Sequence, residues 1–324
     1  GARGHITSAT RLETWASCPH AYFVRHVLGV VPVEDPEEQY RISPLVRGSL
    51  VHDTLDRWIA EAMADDTVPE PGQTWPQGHL DRLHEIADEE AGRLERRGLV
   101  GRRVYWGRDQ QVIHRDLEAF ARFDDNQRAA HGSTPIATEL PFGMPGSTTP
   151  PIEVVLPGGN SITVRGAIDR VDRTSGDGLI VIDYKTGSQR GYDGLSPEDP
   201  TPGGTHLQLV LYALAARSIL GMHRSAERGT YWFVTDRGGF EAVGYDVDPK
   251  VEATALTTVG RIVEGIAAGH FPARPAKPTT RTWVDCVFCE PDGLGLAHQY
   301  ADWRRKHTHP ALADYVDLRG DDRG

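Results

Sequence analysis

The sequence predicts an α/β protein with a central mixed β-sheet flanked by helices, a helical N-terminal part and an irregular C-terminal tail. Three features of the pattern support this fold class. Apolar residues recur at helical spacings up to about residue 131, and the period then shortens to that of strands. After about residue 205, helix, strand and helix follow one another. Helices, then a strand meander, then helix–strand–helix is an order typical of a mixed sheet packed between helices.

The first two predicted helices are short. Ser8 is a suitable N-cap residue for a helix that brings Leu12 and Trp15 to one side. Pro19 ends this helix and suits the first position of a second one, over about 19–28.

A longer helix is predicted over about 47–64. His52 lies on the inward edge of its apolar stripe rather than on the solvent side. The stripe of this helix consists of Val51, Leu55, Trp58 and Ile59. Two polar helices are expected to follow near 79–98 and 107–131.

Strands separated by glycine-rich turns are predicted in the middle of the chain. Residues 156–162 and 174–178 have the composition of hairpin connections. The irregular tail is expected from Phe271 onward. The predicted strands are 136–142, 152–156, 161–172, 179–185, 229–235 and 240–245, and the later helices are about 205–220 and 250–268.

Length and composition predict one domain over residues 1–324. Its expected parts are a helical lobe at about 1–132, an α/β core at about 133–272 and a cysteine-containing tail at about 273–324. No apolar run is long enough to span a membrane, and the first residues lack a secretory pattern. Three cysteines are too few for a disulfide framework, which predicts a cytoplasmic protein.

The formal net charge of −11 opposes a broad phosphate-binding surface, although local patches decide binding more than the total does. No G-x-x-x-x-G-K-[ST] sequence occurs, which counts against a phosphohydrolase that acts on small nucleotides.

The strongest chemical signal lies on two neighbouring strands. Asp183 and Lys185 are two residues apart at the end of an apolar strand, so their side chains project to the same side. Asp169 lies on the preceding strand, and a short hairpin allows the two carboxylates to converge. With the inward imidazole of His52, they suit Mg²⁺ or Mn²⁺. Taken singly, an aspartate at a strand end is more often a turn residue, and an Asp-x-Lys sequence more often forms a surface ion pair. A lone histidine is more often part of the core.

These residues resemble the PD-(D/E)XK nuclease superfamily, in its RecB-like branch with the nuclease domains of RecB and AddB. The resemblance is carried by G-S-L-V-H ending at His52, G-A-I-D ending at Asp169, D-Y-K-T-G from Asp183 and Q-L-V-L-Y from Gln208 to Tyr212. With the matches from Ser8 to Cys18 and at Cys286 and Cys289, the resemblance spans residues 8–290 in the family's order, and it implies a restriction-endonuclease-like core.

The resemblance also implies roles for individual residues. Asp169 and Asp183 would bind the metal, His52 and the carbonyl of Tyr184 would be further metal ligands, and Lys185 would be the catalytic lysine. Gln208 and Tyr212 would line the DNA-facing side. Asp172 and Asp56 are acidic residues with weaker claims.

The cysteines resemble an incomplete iron–sulfur motif of the same branch. Cys18 matches the cysteine before the nuclease core, and Cys286 and Cys289 match two of the three after it. The last family cysteine is missing. His298, Asp292 or Asp285 could supply the fourth ligand of a 4Fe–4S cluster, the site could hold Zn²⁺, or the cysteines could merely pack.

The leading hypothesis is a metal-dependent DNA nuclease, an exonuclease or a single-strand and end-processing enzyme of repair or recombination. Its expected partners are DNA and a helicase, which would be either a domain or a separate polypeptide. The same resemblance predicts that the chain is part of a longer helicase-nuclease polypeptide. The alternative is a weakly catalytic DNA-binding scaffold module of a helicase-nuclease complex, although family members of that kind lose Asp or Lys.

Overall fold

The computed structural model describes residues 6–31, 40–222, 227–274, 288 and 297–320. It is a mixed α/β structure, as the sequence predicts. The α-helices are α1 Ala9–Ser17, α2 Pro19–Tyr22, α3 Pro44–Ala64, α4 Gln77–Arg96, α5 Arg103–His131, α6 Gln208–Leu220, α7 Pro249–Ala267, α8 Ala297–Lys306 and α9 Ala313–Arg319. The strands are β1 Ile6–Thr7, β2 Ser133–Phe142, β3 Ile152–Val155, β4 Ser161–Val164, β5 Gly166–Thr174, β6 Leu179–Lys185, β7 Glu227–Phe233 and β8 Ala242–Asp246.

A five-stranded mixed sheet in the order β2-β5-β6-β7-β8 forms the centre. Strands β6 and β7 are parallel, and the other neighbours are antiparallel. The turn after Thr174 joins β5 to β6 as a hairpin, as predicted. A smaller sheet in the order β1-β4-β3 lies beside it.

The side chains of β6 alternate between two apolar cores, so the main sheet is the middle layer of three. Leu179 and Val181 pack with α1, α6 and α7 on one face. Ile180 and Ile182 pack with α3, α4 and α5 on the other. The helices predicted within residues 1–132 are therefore divided between the two faces.

A buried ionic network ties α5 to the sheet. Arg170 on β5 donates to Asp172 at 2.5 Å and to Asp124 of α5 at 2.6 Å. Asp124 also accepts hydrogen bonds from Arg128 at 2.8 Å and from the Trp75 indole at 2.7 Å. Each charge has an opposite partner, which compensates the cost of its burial.

Two parts of the chain differ from the sequence expectation. The strand predicted at 161–172 is two strands, because the chain passes from the small sheet to the main sheet at Gly166, where a Cβ would lie 2.9 Å from the Tyr212 ring. The tail expected to be irregular contains α8 and α9. These helices form because Trp303 and Tyr315 bury their rings beside each other, with Tyr315 against Trp15.

Candidate active site

The candidate site lies at the carboxyl end of β6, in the centre of the main sheet. Asp183 is only 4% exposed, and its Oδ2 contacts the Lys185 ammonium, as strand alternation predicts. Burial raises the pKa of Asp183, and the Lys185 charge opposes that rise. Burial by itself lowers the pKa of Lys185, but the Asp183 carboxylate outweighs it and the net shift is upward. The lysine is therefore a cation in this pair.

Asp169 joins the site where β5 and β6 separate. The last residue pair of their ladder is Arg170 with Ile182. Two residues further along β6, the Tyr184 N–H donates to Asp169 Oδ2 at 2.6 Å instead of to a strand partner. Since the N–H and C=O of one strand residue point to the same side, the Tyr184 carbonyl is directed towards the same gap.

His52 approaches the site from α3, on the other side of the sheet from α6. Its Nδ1 lies 3.4 Å from Asp169 Oδ1, and its ring meets the Tyr184 ring edge-on at 5.9 Å. Burial alone lowers the pKa of His52, but the hydrogen bond and charge of Asp169 outweigh it and raise the pKa. The structure thus brings His52 to Asp169, and its role as a metal ligand stays a prediction.

Gln208 and Tyr212 lie on α6 beside the lysine. The Lys185 ammonium donates to Gln208 Oε1 at 3.0 Å, so the amide holds its position. Tyr212 is 7% exposed, and its ring packs edge-on against Phe142 at 6.1 Å. Their DNA-facing role stays a prediction, and for Tyr212 the exposed surface is small.

Glu13 is a site residue that sequence analysis missed. Helix α6 has no side-chain cap of its own, and Glu13 of α1 accepts the Leu207 N–H at 2.7 Å in place of one. Burial raises the pKa of Glu13, while this hydrogen bond and the nearby Lys185 lower it. Glu13 therefore anchors the end of α6 that presents Gln208 to Lys185. A contact across 194 residues leaves no local signal in the sequence.

A group of aromatic rings covers Lys185, and sequence analysis missed it too. The ammonium lies 4.9 Å from the centre of the Tyr231 ring. The Tyr192 ring packs edge-on against His206 at 4.4 Å and against Tyr231 at 5.1 Å. Burial, with a smaller effect of the Lys185 charge, lowers the pKa of His206 to about 4.

Asp172 and Asp56, the acidic residues with weaker claims, have different neighbours. Asp172 is buried against Arg170 and belongs to the network that ties α5 to the sheet. Asp56 is near Glu139, a residue of β2 that sequence analysis did not single out. Partial burial raises the pKa of Glu139, and the charges of Asp169 and Asp56 add to the rise. Glu139 is therefore a further acidic group on the His52 side of the site.

The donor groups fit a divalent cation. Oxygen ligands from two aspartates and one imidazole nitrogen suit Mg²⁺ or Mn²⁺. The buried Oδ2 of Asp183 has no hydrogen-bond donor directed at it, although the Lys185 ammonium touches it. Within the described ranges, no three His, Cys, Asp or Glu side chains are already gathered at metal-binding distances. The carboxylates are instead paired with Lys185 and His52.

The predicted cysteine site lies largely beyond what the structure describes. Cys286, Cys289, Asp285 and Asp292 are outside the described residues. Cys18 is buried at the junction of α1 and α2, and His298 is exposed near the start of α8. Pro272, which directly precedes the cysteine-containing tail, lies close to this junction, since the His20 N–H donates to the Pro272 carbonyl at 3.2 Å.

A mixed sheet with Asp183 and Lys185 on one strand and Asp169 on its hairpin partner is the arrangement expected of a PD-(D/E)XK nuclease. Comparison with family models confirms this class, because residues 6–292 match the PD-(D/E)XK nuclease superfamily. The chain belongs to that superfamily.

Individual relatives point to the same branch. The chain is 34% identical, over 221 residues, to an ATP-dependent helicase/deoxyribonuclease subunit from Symbiobacterium thermophilum, an alignment covering 65% of this chain and 17% of that protein. The protein of the same description from Desulforudis audaxviator is 27% identical over 263 residues, or 76% of this chain and 21% of its own length. The chain thus spans only a small part of these relatives.

A comparison of structures gives weaker information. The crystal structure of SSO0001 aligns over 79% of this chain and 84% of that chain, at 14% identity and a TM-score of 0.24, which is too low to indicate a shared fold.

None of the helices in the described part of the chain is long and apolar enough to cross a membrane.

Proposed function

We propose that this chain is a metal-dependent deoxyribonuclease that hydrolyses phosphodiester bonds in single strands or at DNA ends, in repair or recombination. The observation that carries the proposal is the convergence of Asp169, Asp183, Lys185 and His52 at the end of one buried strand. Membership of the nuclease superfamily and the description of the relatives support DNA as substrate and a helicase as partner.

The residues that would hold Mg²⁺ or Mn²⁺ are Asp169, Asp183 and His52, with the carbonyl of Tyr184. A cation bound there supplies a Lewis acid for the phosphoryl oxygen and lowers the pKa of its bound water. The imidazole must be neutral to be a ligand, so the proton that Asp169 stabilises on His52 has to leave on binding.

Lys185 acts as a cation in this proposal rather than as the base. Its raised pKa keeps the ammonium protonated, and Gln208 and Asp183 fix its position. An ammonium held beside the scissile phosphate orients the attacking water and offsets the negative charge that develops on the phosphoryl oxygens. Glu13 acts one step behind it, because it anchors the end of α6 that carries Gln208.

The alternative is a DNA-binding scaffold that has kept the fold without the chemistry. Such a module would not need both carboxylates, Asp169 and Asp183, and the lysine. This chain keeps all three in contact with one another or with their neighbours, at the cost of burying Asp183. That retention favours an active enzyme.

The test is cleavage of end-labelled single- and double-stranded DNA with Mg²⁺ or Mn²⁺, comparing the wild type with Lys185→Ala. We expect the variant to lose at least about 100-fold in rate, as is usual for the loss of one charge that stabilises the transition state. Lys250→Ala, at the exposed start of α7, is a matched control and should cleave like the wild type. Equal cleavage by the wild type and Lys185→Ala would overturn the assignment, and binding without any cleavage would favour the scaffold.

We also propose that Cys18, Cys286 and Cys289 bind a 4Fe–4S cluster, with a fourth ligand from His298 or one of the nearby aspartates. Zn²⁺ is the alternative occupant. Iron, sulfide and zinc analysis of protein purified without oxygen, with its visible absorption spectrum, separates the two. Protein that contains neither metal and keeps its stability after Cys286→Ser would refute both.

A further inference from the structure

A cluster of tyrosines and arginines lies on the surface at the amino end of α3. Tyr40 and Arg41 precede this helix, and Arg102 and Tyr105 belong to the segment that begins α5. The guanidinium of Arg102 lies 4.4 Å from the centre of the Tyr40 ring, and that of Arg41 lies 5.2 Å from the centre of the Tyr105 ring. These four residues are called the Tyr–Arg surface below.

The backbone holds the Tyr–Arg surface in place. Arg41 and Gly101 form an antiparallel bridge, and the Arg102 N–H donates to the Tyr40 carbonyl at 3.0 Å. Gly101 has a φ of +73°, and a Cβ there would lie 2.7 Å from the Tyr40 oxygen. The two segments can therefore approach this closely only with glycine at that position.

The side chains of the Tyr–Arg surface are open to solvent. Tyr40 is 49% exposed and Tyr105 is 41% exposed, although large rings usually bury more of their area in a soluble protein. Leu45, four residues after Arg41, and Val104, next to Tyr105, are also strongly exposed. Arg41 and Arg102 lie over tyrosine rings rather than beside any carboxylate of the described residues, so their charges are not neutralised there.

The Tyr–Arg surface lies close to the candidate active site. The first turns of α3 pack on the segment that follows Lys185, since a Cβ on Gly48 would lie 3.2 Å from Thr186 Oγ1. Leu45 and His52 are both in α3, and seven residues of helix span about 10 Å. One bound strand can therefore contact both places.

We propose that the Tyr–Arg surface binds single-stranded DNA and leads it to the site at the end of β6. Exposed tyrosine rings stack on bases of any sequence, and arginines that are already held in place offer their N–H groups to the phosphates. A duplex keeps its base faces inside the helix, so this chemistry selects unpaired bases. The proposal rests on the proposed nuclease function for the direction of the strand, but binding can be tested without cleavage.

The experiment measures fluorescence anisotropy of a labelled oligothymidylate of about 20 nucleotides, longer than the roughly 4–16 that one such module covers. EDTA is present, so that no cleavage occurs. For Arg41→Gln with Arg102→Gln, we expect weaker binding and a salt slope smaller by about 1.4, or about 0.7 for each lost phosphate contact. The matched control is Arg122→Gln with Arg305→Gln, which removes two exposed charges elsewhere.

The tyrosines are tested separately from charge. Tyr40→Leu with Tyr105→Leu should weaken binding by roughly 10-fold or more, because stacking on each base is lost. The double variant Tyr40→Phe with Tyr105→Phe should bind oligothymidylate like the wild type. An abasic strand of equal charge offers no base to stack on, so the Leu and Phe double variants should bind it equally. Equal binding of the Leu and Phe pairs to oligothymidylate, or tighter wild-type binding to duplex, would overturn the proposal.

The two proposals fail in different ways. If the wild type cleaves DNA but the arginine pair binds like its control, the Tyr–Arg surface is refuted and the nuclease assignment stands. If the arginine and tyrosine pairs lose binding as expected but the wild type never cleaves, the surface stands and the nuclease assignment falls. Thermal melts of all variants, unchanged from the wild type, establish that loss of binding is not loss of folding.

Discussion

Asp169 uses its two carboxylate oxygens for two different partners. Oδ2 accepts the Tyr184 N–H at 2.6 Å, and Oδ1 lies 3.4 Å from His52 Nδ1. The first contact replaces a missing ladder bond between β5 and β6, and the second ties α3 to the sheet. Asp169 therefore has a structural role at the strand end as well as its proposed role at the metal.

The two roles of Asp169 can be separated by two substitutions. Asp169→Asn keeps an oxygen that can accept the Tyr184 N–H but loses the charge, so we expect near-normal stability with Mn²⁺ affinity at least about 10-fold weaker. Asp169→Ala leaves that N–H without its acceptor and should cost a further ~1–3 kcal/mol in the free energy of unfolding. Urea unfolding and calorimetric titration with Mn²⁺ measure the two effects.

The Asp169→Asn variant also has a readout that does not involve metal. Asp169 raises the pKa of His52 through its hydrogen bond and its charge, against the effect of burial. In metal-free protein, Asp169→Asn should therefore lower the pKa of His52 in an NMR titration. An unchanged His52 pKa would mean that the two side chains do not interact in solution.

Glu13 is expected to affect the rate without touching the substrate. In Glu13→Ala the Leu207 N–H at the start of α6 loses its acceptor, and Gln208 holds Lys185 less firmly. We expect kcat to fall by about 10-fold with KM nearly unchanged, since misplacement of a transition-state group affects kcat. Glu13→Gln, which keeps an acceptor oxygen, should recover part of the rate.

A suitable control for Glu13 is Glu153→Ala on β3, where the carboxylate is exposed and bonds only Ser161 among the contacts seen in the described residues. It should leave kcat unchanged. If Glu13→Ala raised KM and left kcat unaltered, Glu13 would be acting on DNA binding rather than on the position of Lys185.

Arg170 is expected to contribute to stability rather than to catalysis. Arg170→Met leaves Asp172 and Asp124 buried without their shared cation, which should cost about 3–5 kcal/mol in the free energy of unfolding. Arg170→Met combined with Asp172→Leu should recover much of that loss, because Asp124 keeps Arg128. Urea unfolding at constant m-value measures both.

The exposed pair of Arg173 and Asp177, on the same hairpin, provides the comparison for Arg170. Arg173→Met should cost less than about 1 kcal/mol, as is usual for ion pairs in solvent. A loss for Arg170→Met as small as that for Arg173→Met would show that water reaches the network.

The parts of the site that the sequence predicts are those fixed by local geometry. Strand alternation places Asp183 with Lys185, and the hairpin after Thr174 brings in Asp169. His52 was predicted from its place on the inward edge of a helix and from the family resemblance. Glu13, His206 and the Tyr–Arg surface could not be predicted, because each depends on contacts between segments far apart in the chain.

His206 gives a pH dependence that can be traced to one residue. Its φ is +60°, and its Nδ1 lies 2.8 Å from Thr205 Oγ1. That hydroxyl donates its own hydrogen to the Pro202 carbonyl, so it accepts a hydrogen from Nδ1, and the neutral form of the ring carries its proton on Nδ1. Burial, with the nearby Lys185 charge, lowers the pKa of His206 from 6.5 to about 4.

The sign of the effect follows from proton binding. Between pH 6.5 and about 4, His206 takes up a proton in the unfolded chain but not in the folded one, so acid favours unfolding in this window. Because the side chain is partly exposed, we expect the loss between pH 7 and pH 4 to be roughly 1–2 kcal/mol rather than the full value of the shift. His206→Asn removes the titrating ring and tolerates a positive φ, so its stability should fall less over the same range. Urea unfolding of the wild type and His206→Asn at the two pH values gives the difference in their loss of stability. His131→Asn, at an exposed histidine, is the control. Equal losses of stability in all three proteins would contradict the assignment to His206.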